Sequence, residues 1–195
     1  MYSIFIDTHS NDVLVALYKD GKVINFKVTP SEKDHCTNSI ITIEAVLRDA
    51  NISVKQINEV IVVNGPGSFT GVRIGVTIAK TLAFSLRVPI KVINSLAMFA
   101  LSNNKGNGKL IALADSKGYY FCMFNQLNLP MWDYDYLPFD EFNKLVEAKH
   151  AERMVLKDGL KIDLDELYIY IDEHSSVSPH EVNPIYIKSI EVEND

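Results

Sequence analysis

The stretch VIVVNGPGSFTGVRIGVTIAKTLAFSLRV, Val60 to Val88, decides how the rest of the chain is read. It opens with a short apolar run, Val60 to Val63, bounded by turn residues, which is how a strand buried on both faces reads. Asn64-Gly65-Pro66-Gly67 then forbids a regular element. The glycines allow φ > 0, while Pro66 fixes φ and removes an N–H. Ser68 or Thr70 supplies the cap of the helix that follows. Its stop is expected near Arg87, because Val88 precedes Pro89 and is pushed away from the α region.

Laid out at 100° per residue, Gly71, Gly75, Ala79, Leu82 and Leu86 fall on one side of that helix, flanked by Ile74, Ile78, Val72, Val76 and Ala83. Arg73, Lys80 and Arg87 form one cationic stripe opposite Gly71, with Thr77 and Phe84 beside it. The apolar arc is wider than packing on a single sheet requires, and the small residues at 71, 75 and 79 let another backbone approach. That favours packing inside the chain and against a second helix over a ligand.

A glycine loop between strand and helix invites a phosphate reading, since such a junction points free N–H groups at an anion. The residues depart from both known patterns. Thr70-Gly71-Val72 stands where a Walker loop needs Gly-Lys-Ser/Thr, and Gly65-x-Gly67-x-x-x-Gly71 is not the dinucleotide spacing. A tight turn for close strand–helix packing is the favoured reading.

NGPGSFTGVRIG, followed by an Ala-Lys-x-Leu-Ala run and the Pro89 turn, closely resembles the bacterial TsaB (YeaZ) family, whose members are needed to make threonylcarbamoyladenosine in tRNA. The resemblance is strong over roughly residues 1 to 100 and patchy beyond. It implies an α/β fold of two actin-like/Hsp70-like (ASKHA) lobes. It also implies a non-catalytic subunit that pairs with a catalytic TsaD-like protein, works with a TsaE-like ATPase and forms a homodimer when alone. Contact with tRNA would be indirect, through the complex. ATP, ADP or metal would enter only within that complex, and none would be bound by this chain alone.

At 195 residues the chain suits one domain or two small lobes. Its two cysteines, Cys36 and Cys122, offer no disulfide framework, which fits a reducing compartment. No cationic leader opens the sequence and no apolar run approaches a membrane span, so a cytoplasmic protein with no membrane association is expected. The net charge of −6 is unevenly spread: Val60 to Ala114 has no Asp or Glu and six cations, whereas from Met131 onward sixteen acids face six Lys and Arg. The acidic end disfavours independent nucleic-acid binding, because phosphate contacts dominate that affinity.

Tyr2 to Ile6, Val13 to Tyr18 and Val23 to Val28 read as three strands, the last two joined by the hairpin signal Asp20-Gly21. A first strand that ends in Asp7-Thr8 before a polar turn is how actin-like lobes begin, and in that superfamily the turn approaches phosphate and metal. Asp7 and Thr8 are therefore candidate nucleotide-proximal residues. His9-Ser10-Asn11 lacks the glycine that would let backbone hug phosphate, so a structural Asp–Thr turn stands equally open. Ser31 to about Ala50 is the first helix, with Ser31-x-x-Asp34 as its cap. Cys36, Ile40, Ile43, Val46, Leu47 and Ala50 should face the sheet, and Ile41, Glu44 and Arg48 outward. After the central helix come a strand at Ile90 to Ile93 and a helix from Ser95, giving β-β-β-α-β-α-β-α.

SNNKGNG, Ser102 to Gly108, is the clearest linker. It divides the chain into an N-terminal lobe (1–101), a linker (102–108) and a smaller C-terminal lobe (109–195). The second lobe should run from Lys109–Ala114 through a turn at Asp115 to Gly118 into strands at Tyr119–Asn125 and Met131–Leu137. A helix at Phe139–Lys149 and a strand at Arg153–Lys157 follow. Residues 163–173 suit a helix or a strand. Compared with the family, the turn keeps Asp115 and Gly118 but lacks two arginines, and Tyr186-Ile187-Lys188 resembles a C-terminal Tyr-Leu-Arg.

The five histidines stand alone, without the spacing of a zinc hydrolase, and nothing in the sequence sets a base beside Ser68. No catalytic and no metal residue is therefore assigned. The motif loop is Gly65, Pro66, Gly67, Ser68, Phe69, Thr70 and Gly71. The association surface is assigned to Ile41, Glu44, Arg48, Gly71, Arg73, Gly75, Lys80, Phe84 and Arg87 on the two adjacent helices. The readings to be separated from this one are a glycoprotease-type peptidase and an independent actin-like ATPase.

Overall fold

A computed structural model describes residues 1–31, 34–103, 108–156 and 162–188. Strands β1 (Tyr2–Asp7), β2 (Asp12–Lys19) and β3 (Lys22–Pro30) form an antiparallel meander. Asp20 and Gly21 turn the hairpin with φ of 49° and 84°, the paired positive φ a two-residue loop demands. After helix α1 (His35–Asp49), strand β4 (Glu59–Val63) returns parallel to β1. Helix α2 (Phe69–Leu86) then leads to β5 (Ile90–Ile93), parallel to β4. The five-stranded sheet runs β3-β2-β1-β4-β5.

Helix α3 (Ser95–Asn103) leads to a second sheet of four strands, β8-β7-β6-β9. Its members are β6 (Lys109–Ala114), β7 (Gly118–Phe124), β8 (Asp135–Pro138) and β9 (Arg153–Leu156), with helix α4 (Phe139–Lys149) before β9 and helix α5 (Leu164–Asp172) after it. The expected β-β-β-α-β-α-β-α order and two α/β units are thus present. A short 3-10 turn at Val54–Gln56 is closed by a capping box between Ser53 and Gln56, a Ser-x-x-Gln pattern that the sequence reading passed over.

Both faces of the first sheet are covered, which is why its central strands read as unbroken apolar runs. On one face Ile4, Ile6, Val15, Val60 and Val62 pack against Val46 of α1 and Val72, Val76 and Ala79 of α2. On the other, Phe5, Ala16, Tyr18 and Ile61 share a cluster with α3, with α5 and with Ile111, Cys122 and Phe124 of the second sheet. The two sheets flank the expected 102–108 linker along the chain; its first residues, Ser102 and Asn103, instead close α3, and residues 104–107 fall outside the described residues.

The segment 109–195 does not all stay with the second sheet. Helix α5 packs beneath the first: the Tyr18 hydroxyl donates to the Leu164 carbonyl (2.9 Å) and the Val23 N–H to Asp165 (3.0 Å). Lys91 on β5 is buried between Glu59 (3.3 Å) and Asp172 of α5 (3.4 Å). Asp163 caps α5 by accepting from the Glu166 N–H at 3.0 Å, so the segment open to two readings is a helix.

Helix α1 differs from its sequence reading in start and in phase. It starts at His35, capped by Asp34, whose carboxylate accepts from the Thr37 N–H at 3.0 Å. Its buried residues are Ser39, Thr42, Ile43, Val46 and Leu47, while Cys36 and Ile40, expected inward, are exposed. A polar seam sets the phase: the Asn25 amide donates to the Val46 carbonyl (2.9 Å) and the Thr42 hydroxyl to Thr29 (2.8 Å). Counting apolar residues alone turns the helix too far. Among the described residues α2 has the length and composition of a membrane span, yet its buried face lies on the sheet, so the expectation of no such run is corrected on composition while the helix is accounted for by packing.

The two thiols should report this difference. Burial pushes the Cys122 thiol up to about 11, and its Sγ donates to the Trp132 carbonyl at 3.1 Å. A disulfide reagent near neutral pH should titrate Cys36 at once in the native protein and Cys122 only after denaturation, since the thiolate is the reacting form. Prompt titration of both would show that the cluster around Cys122 is open.

Candidate functional site

At the end of β4 the chain enters the motif loop with φ of 106° at Gly65 and 156° at Gly67, and the Gly65–Pro66 peptide is cis. Helix α3 holds this loop: Ser95 donates its N–H to the Gly65 carbonyl (2.9 Å) and its hydroxyl to the Pro66 carbonyl (2.6 Å). The Ser68 side chain then caps α2 by accepting from the Gly71 N–H at 3.2 Å. At the far end Arg87 closes the helix in the left-handed conformation, as placed by the proline rule.

The loop and the first turns of α2 receive the β1–β2 turn. The Ser68 N–H donates to the His9 carbonyl (2.7 Å), and the Thr8 hydroxyl donates to the Gly71 carbonyl (2.7 Å). A methyl group at Gly67 would collide with the His9 carbonyl, at Gly71 with the Thr8 carbonyl, and at Gly75 with the Thr8 hydroxyl. The backbone that these glycines admit is the chain's own turn. Gly71 and Gly75, assigned above to the association surface, are buried in this contact.

Asp7 and Thr8 fare similarly as candidate nucleotide-proximal residues. Both are buried. One Asp7 oxygen accepts from the His9 backbone N–H (2.9 Å) and lies 2.7 Å from His9 Nδ1. The His9 ring sits edge-on to Phe99, 5.4 Å between centroids. Asp7 is thus tied to His9 and Thr8 to Gly71, while the buried His9 Nε2 has no hydrogen-bond partner and Ser10 and Asn11 face the cavity beyond. His9 is the residue the sequence reading passed over. Its only signal was position, two residues after a buried aspartate on a strand end.

A cavity of about 630 Å³ lies in front of this turn. His9, Gly67 and Phe69 line one side, and Asp115 and Tyr120 the other. The third wall is the returning tail, Ile185 to Lys188. That tail is strapped along the first unit. Val177 donates its N–H to the Ile90 carbonyl (2.9 Å), Lys80 its ammonium to the Val182 carbonyl (2.7 Å), and Ile185 its N–H to the Asn64 carbonyl (2.8 Å). Rings add two contacts, His180 on Phe84 (5.6 Å) and Tyr186 on Phe69 (5.4 Å). The strap ends at Lys188, 3.2 Å from Asp115, which also accepts from the Tyr136 hydroxyl at 3.4 Å. Burial acts to raise the Asp115 carboxyl, but hydrogen bonds from the Ser116 backbone, Lys188 and Tyr136 together with the Lys188 charge outweigh it and hold it below its ordinary value. The same hydrogen bond holds the Lys188 ammonium above its own.

The remaining association residues are split by the strap. Ile41 and Phe84 are exposed, at 54% and 64%. Glu44, Arg48, Arg73 and Arg87 are exposed too. Lys80 is half-buried and engaged by Val182. Among the described residues no group of three or more His, Cys, Asp or Glu is placed to hold a metal ion.

The family model described as "TsaD: tRNA N6-adenosine threonylcarbamoyltransferase" matches residues 28–129, just over half of the chain. That span covers α1, the motif loop and α2. The tRNA threonylcarbamoyladenosine biosynthesis protein TsaB of Bacillus subtilis (strain 168) is 35% identical over 112 residues, 57% of this chain and 49% of that protein. TsaB of Escherichia coli (strain K12) is 36% identical over 110 residues, 56% and 47% of the two chains. The chain belongs to this family, on its TsaB (YeaZ) branch. Its matches span about half the length of these curated relatives. A solved structure of a Pseudomonas aeruginosa protein with similarity to peptidase YEAZ superposes with a TM-score of 0.79 over 96% of this chain and 99% of that one. At 19% identity that likeness speaks for the fold. In this TsaB-family chain the matched stretch ends within the second sheet, and the strap lies outside it.

Two predictions follow from the geometry. Gly71→Ala and Gly75→Ala should each lower stability by about 1–3 kcal/mol, the usual cost of over-packing. Thr8→Ala should partly rescue Gly75→Ala, whose clash is with the hydroxyl, and should not rescue Gly71→Ala, whose clash is with backbone. Equal rescue of both in denaturant melts would contradict the contact pattern.

Asp115→Asn should free the end of the strap, raising amide exchange at Ile185–Lys188 while β1 to β5 stay protected. In the parent the Asp115 carboxyl lies below its ordinary 3.8, so the anchor is intact above that pH and is lost as pH falls through the lower folded-state value. Lys188, raised above 10.5, sets the opposite limit, with loss only as pH rises beyond it. Near-ultraviolet circular dichroism should therefore change in strongly acid solution for the parent and much less for Asp115→Asn.

Proposed function

We propose that this chain is the non-catalytic partner of a TsaD-like subunit in making threonylcarbamoyladenosine, at the adenosine next to the anticodon of tRNAs that read codons beginning with A. The observation that carries the reading is the pair of adjacent helices α1 and α2. They fall within the matched family stretch, and they carry Ile41 and Phe84 outward among Glu44, Arg48, Arg73 and Arg87. An apolar centre with a charged rim is the anatomy of a protein interface. Ile40, also exposed at 45%, enlarges that centre. The same surface would serve a homodimer when the partner is absent, and a TsaE-like ATPase would join the pair. ATP, ADP or metal would be handled by the partners, and the working place would be the cytoplasm. The engagement of Asp7, Thr8 and His9 with one another and with α2 supports a supporting rather than a catalytic role.

Ile41→Glu and Phe84→Glu, singly and together, test this. Both side chains are exposed, so the variants should fold, with Phe84→Glu also losing its ring contact to His180. Calorimetry with a TsaD-like partner should show an affinity loss of at least about tenfold for the pair, since a central hot spot contributes 2 kcal/mol or more. Sedimentation should show weaker self-association. Unchanged binding by the folded double variant would remove α1 and α2 as the interface.

A further inference from the structure

The mouth of the cleft collects aromatic rings and cations, of which Phe69 and Tyr186 lie outside the core clusters. Phe69 opens α2 and is 49% exposed; Tyr186 of the strap lies against it and is 54% exposed. Arg73, one turn along α2, holds its guanidinium 5.1 Å over the Phe69 ring. Across the cleft Tyr120 and Tyr136 pair at 4.9 Å, and the Lys188 ammonium stands 4.9 Å from the Tyr136 ring. Lys117 lines the same wall.

Asp115 is the one carboxylate in the lining among the described residues, and Lys188 sits against it. Lys188 offsets that carboxylate, and Arg73, just beyond the lining, adds a cation at the mouth although the chain carries −6 overall. The local sign governs contacts at the cleft, because exposed charges more than about 8–10 Å away are largely screened at ordinary salt.

We propose that the mouth of this cleft binds a single-stranded RNA segment, with unpaired bases stacking on Phe69 and Tyr186 and phosphates meeting Arg73 and Lys188. Interleaved π-faces and cations along a groove are how single strands are held without sequence readout. A duplex keeps its bases stacked on one another and offers no free faces to such rings. In the sequence the acidic C-terminal third disfavours independent RNA binding, and Tyr186 and Lys188 lie within it. The fold brings them beside Phe69 and Arg73, more than a hundred positions earlier in the chain.

This inference deepens the reading above by giving the chain its own RNA contact. Its test is separable: RNA is titrated without the TsaD-like partner, and pairing is measured without RNA. Fluorescence anisotropy of a short labelled oligoadenylate with the full chain is compared with the same strand annealed to its complement and with AMP as competitor. The single strand should bind best. The logarithm of affinity should fall with that of salt by about 0.7 per phosphate neutralised. Phe69→Leu should weaken binding about five- to a hundredfold, the range for losing one stacked base. Arg73→Gln, whose recorded contact is to the Phe69 ring, should lower the salt slope by about 0.7. Melting curves check that both variants fold. The proposal is overturned if single-strand binding is weaker than about 10⁻⁴ M, the weak end of non-specific association. Duplex or AMP binding as tight as the strand's also overturns it, as does parental affinity in both folded variants.

Discussion

The closest constraint in the molecule is the approach of the Thr8–His9 turn to the first turns of α2. The Thr8 carbonyl and hydroxyl lie where side chains at 71 and 75 would be, and the His9 carbonyl lies where one at 67 would be. Three glycines remove that obstruction. The groups brought together then satisfy one another, Thr8 hydroxyl to Gly71 carbonyl and Ser68 N–H to His9 carbonyl. A buried peptide group left unpaired costs about 1–3 kcal/mol, so the fit and the hydrogen bonds are one requirement. The conformationally costly glycines are tolerated because this docking fixes the end of β1, the start of α2 and the floor of the cleft at once.

The second organising contact is long-range. The strap leaves α5 on the underside of the first sheet, passes Ile90 and Lys80, and ends at Asp115 on the second sheet. Together with the cluster shared by Phe5, Ile111 and Phe124, it makes the units interdependent. The segment 109–195 thus holds the second sheet, while α5 and the strap as far as Ile185 pack with the first. Small units gain from such sharing because a larger fraction of apolar surface is buried as the common core grows.

What could be read in the sequence was local. Asp20-Gly21 specifies its hairpin by φ alone, and Pro89 ends α2 at Arg87 by sterics. The spacing of Gly71, Gly75 and Ala79 announced a close backbone. It could not say whose, because a small residue records space and not its occupant. Helix α1 shows the opposite failure. Its apolar residues nearly fit two phases, and the choice fell to Asn25 and Thr29 reaching across from β3. Residues 163–173 were open to two readings because a nine-residue helix holds few turns over which a period can show. The strap was invisible for a different reason: its contacts are backbone carbonyls and single rings, which leave no periodic pattern at all.

These placements bear on what kind of site the cleft is. A catalytic floor needs polar groups poised toward a ligand, whether as nucleophile, base or oxyanion donors. Here the Asp7 carboxylate is turned to His9, Thr8 is turned to Gly71, and the Ser68 hydroxyl is committed to the cap of α2. The exposed chemistry lies outward, on Phe69, Tyr186 and Arg73, side chains that offer π-faces and charge, and on Lys188 paired with Asp115. Such groups recognise and hold. The glycine contact that closes the floor is therefore the same feature that leaves the exposed rings and charges to the rim and the adjoining helix faces.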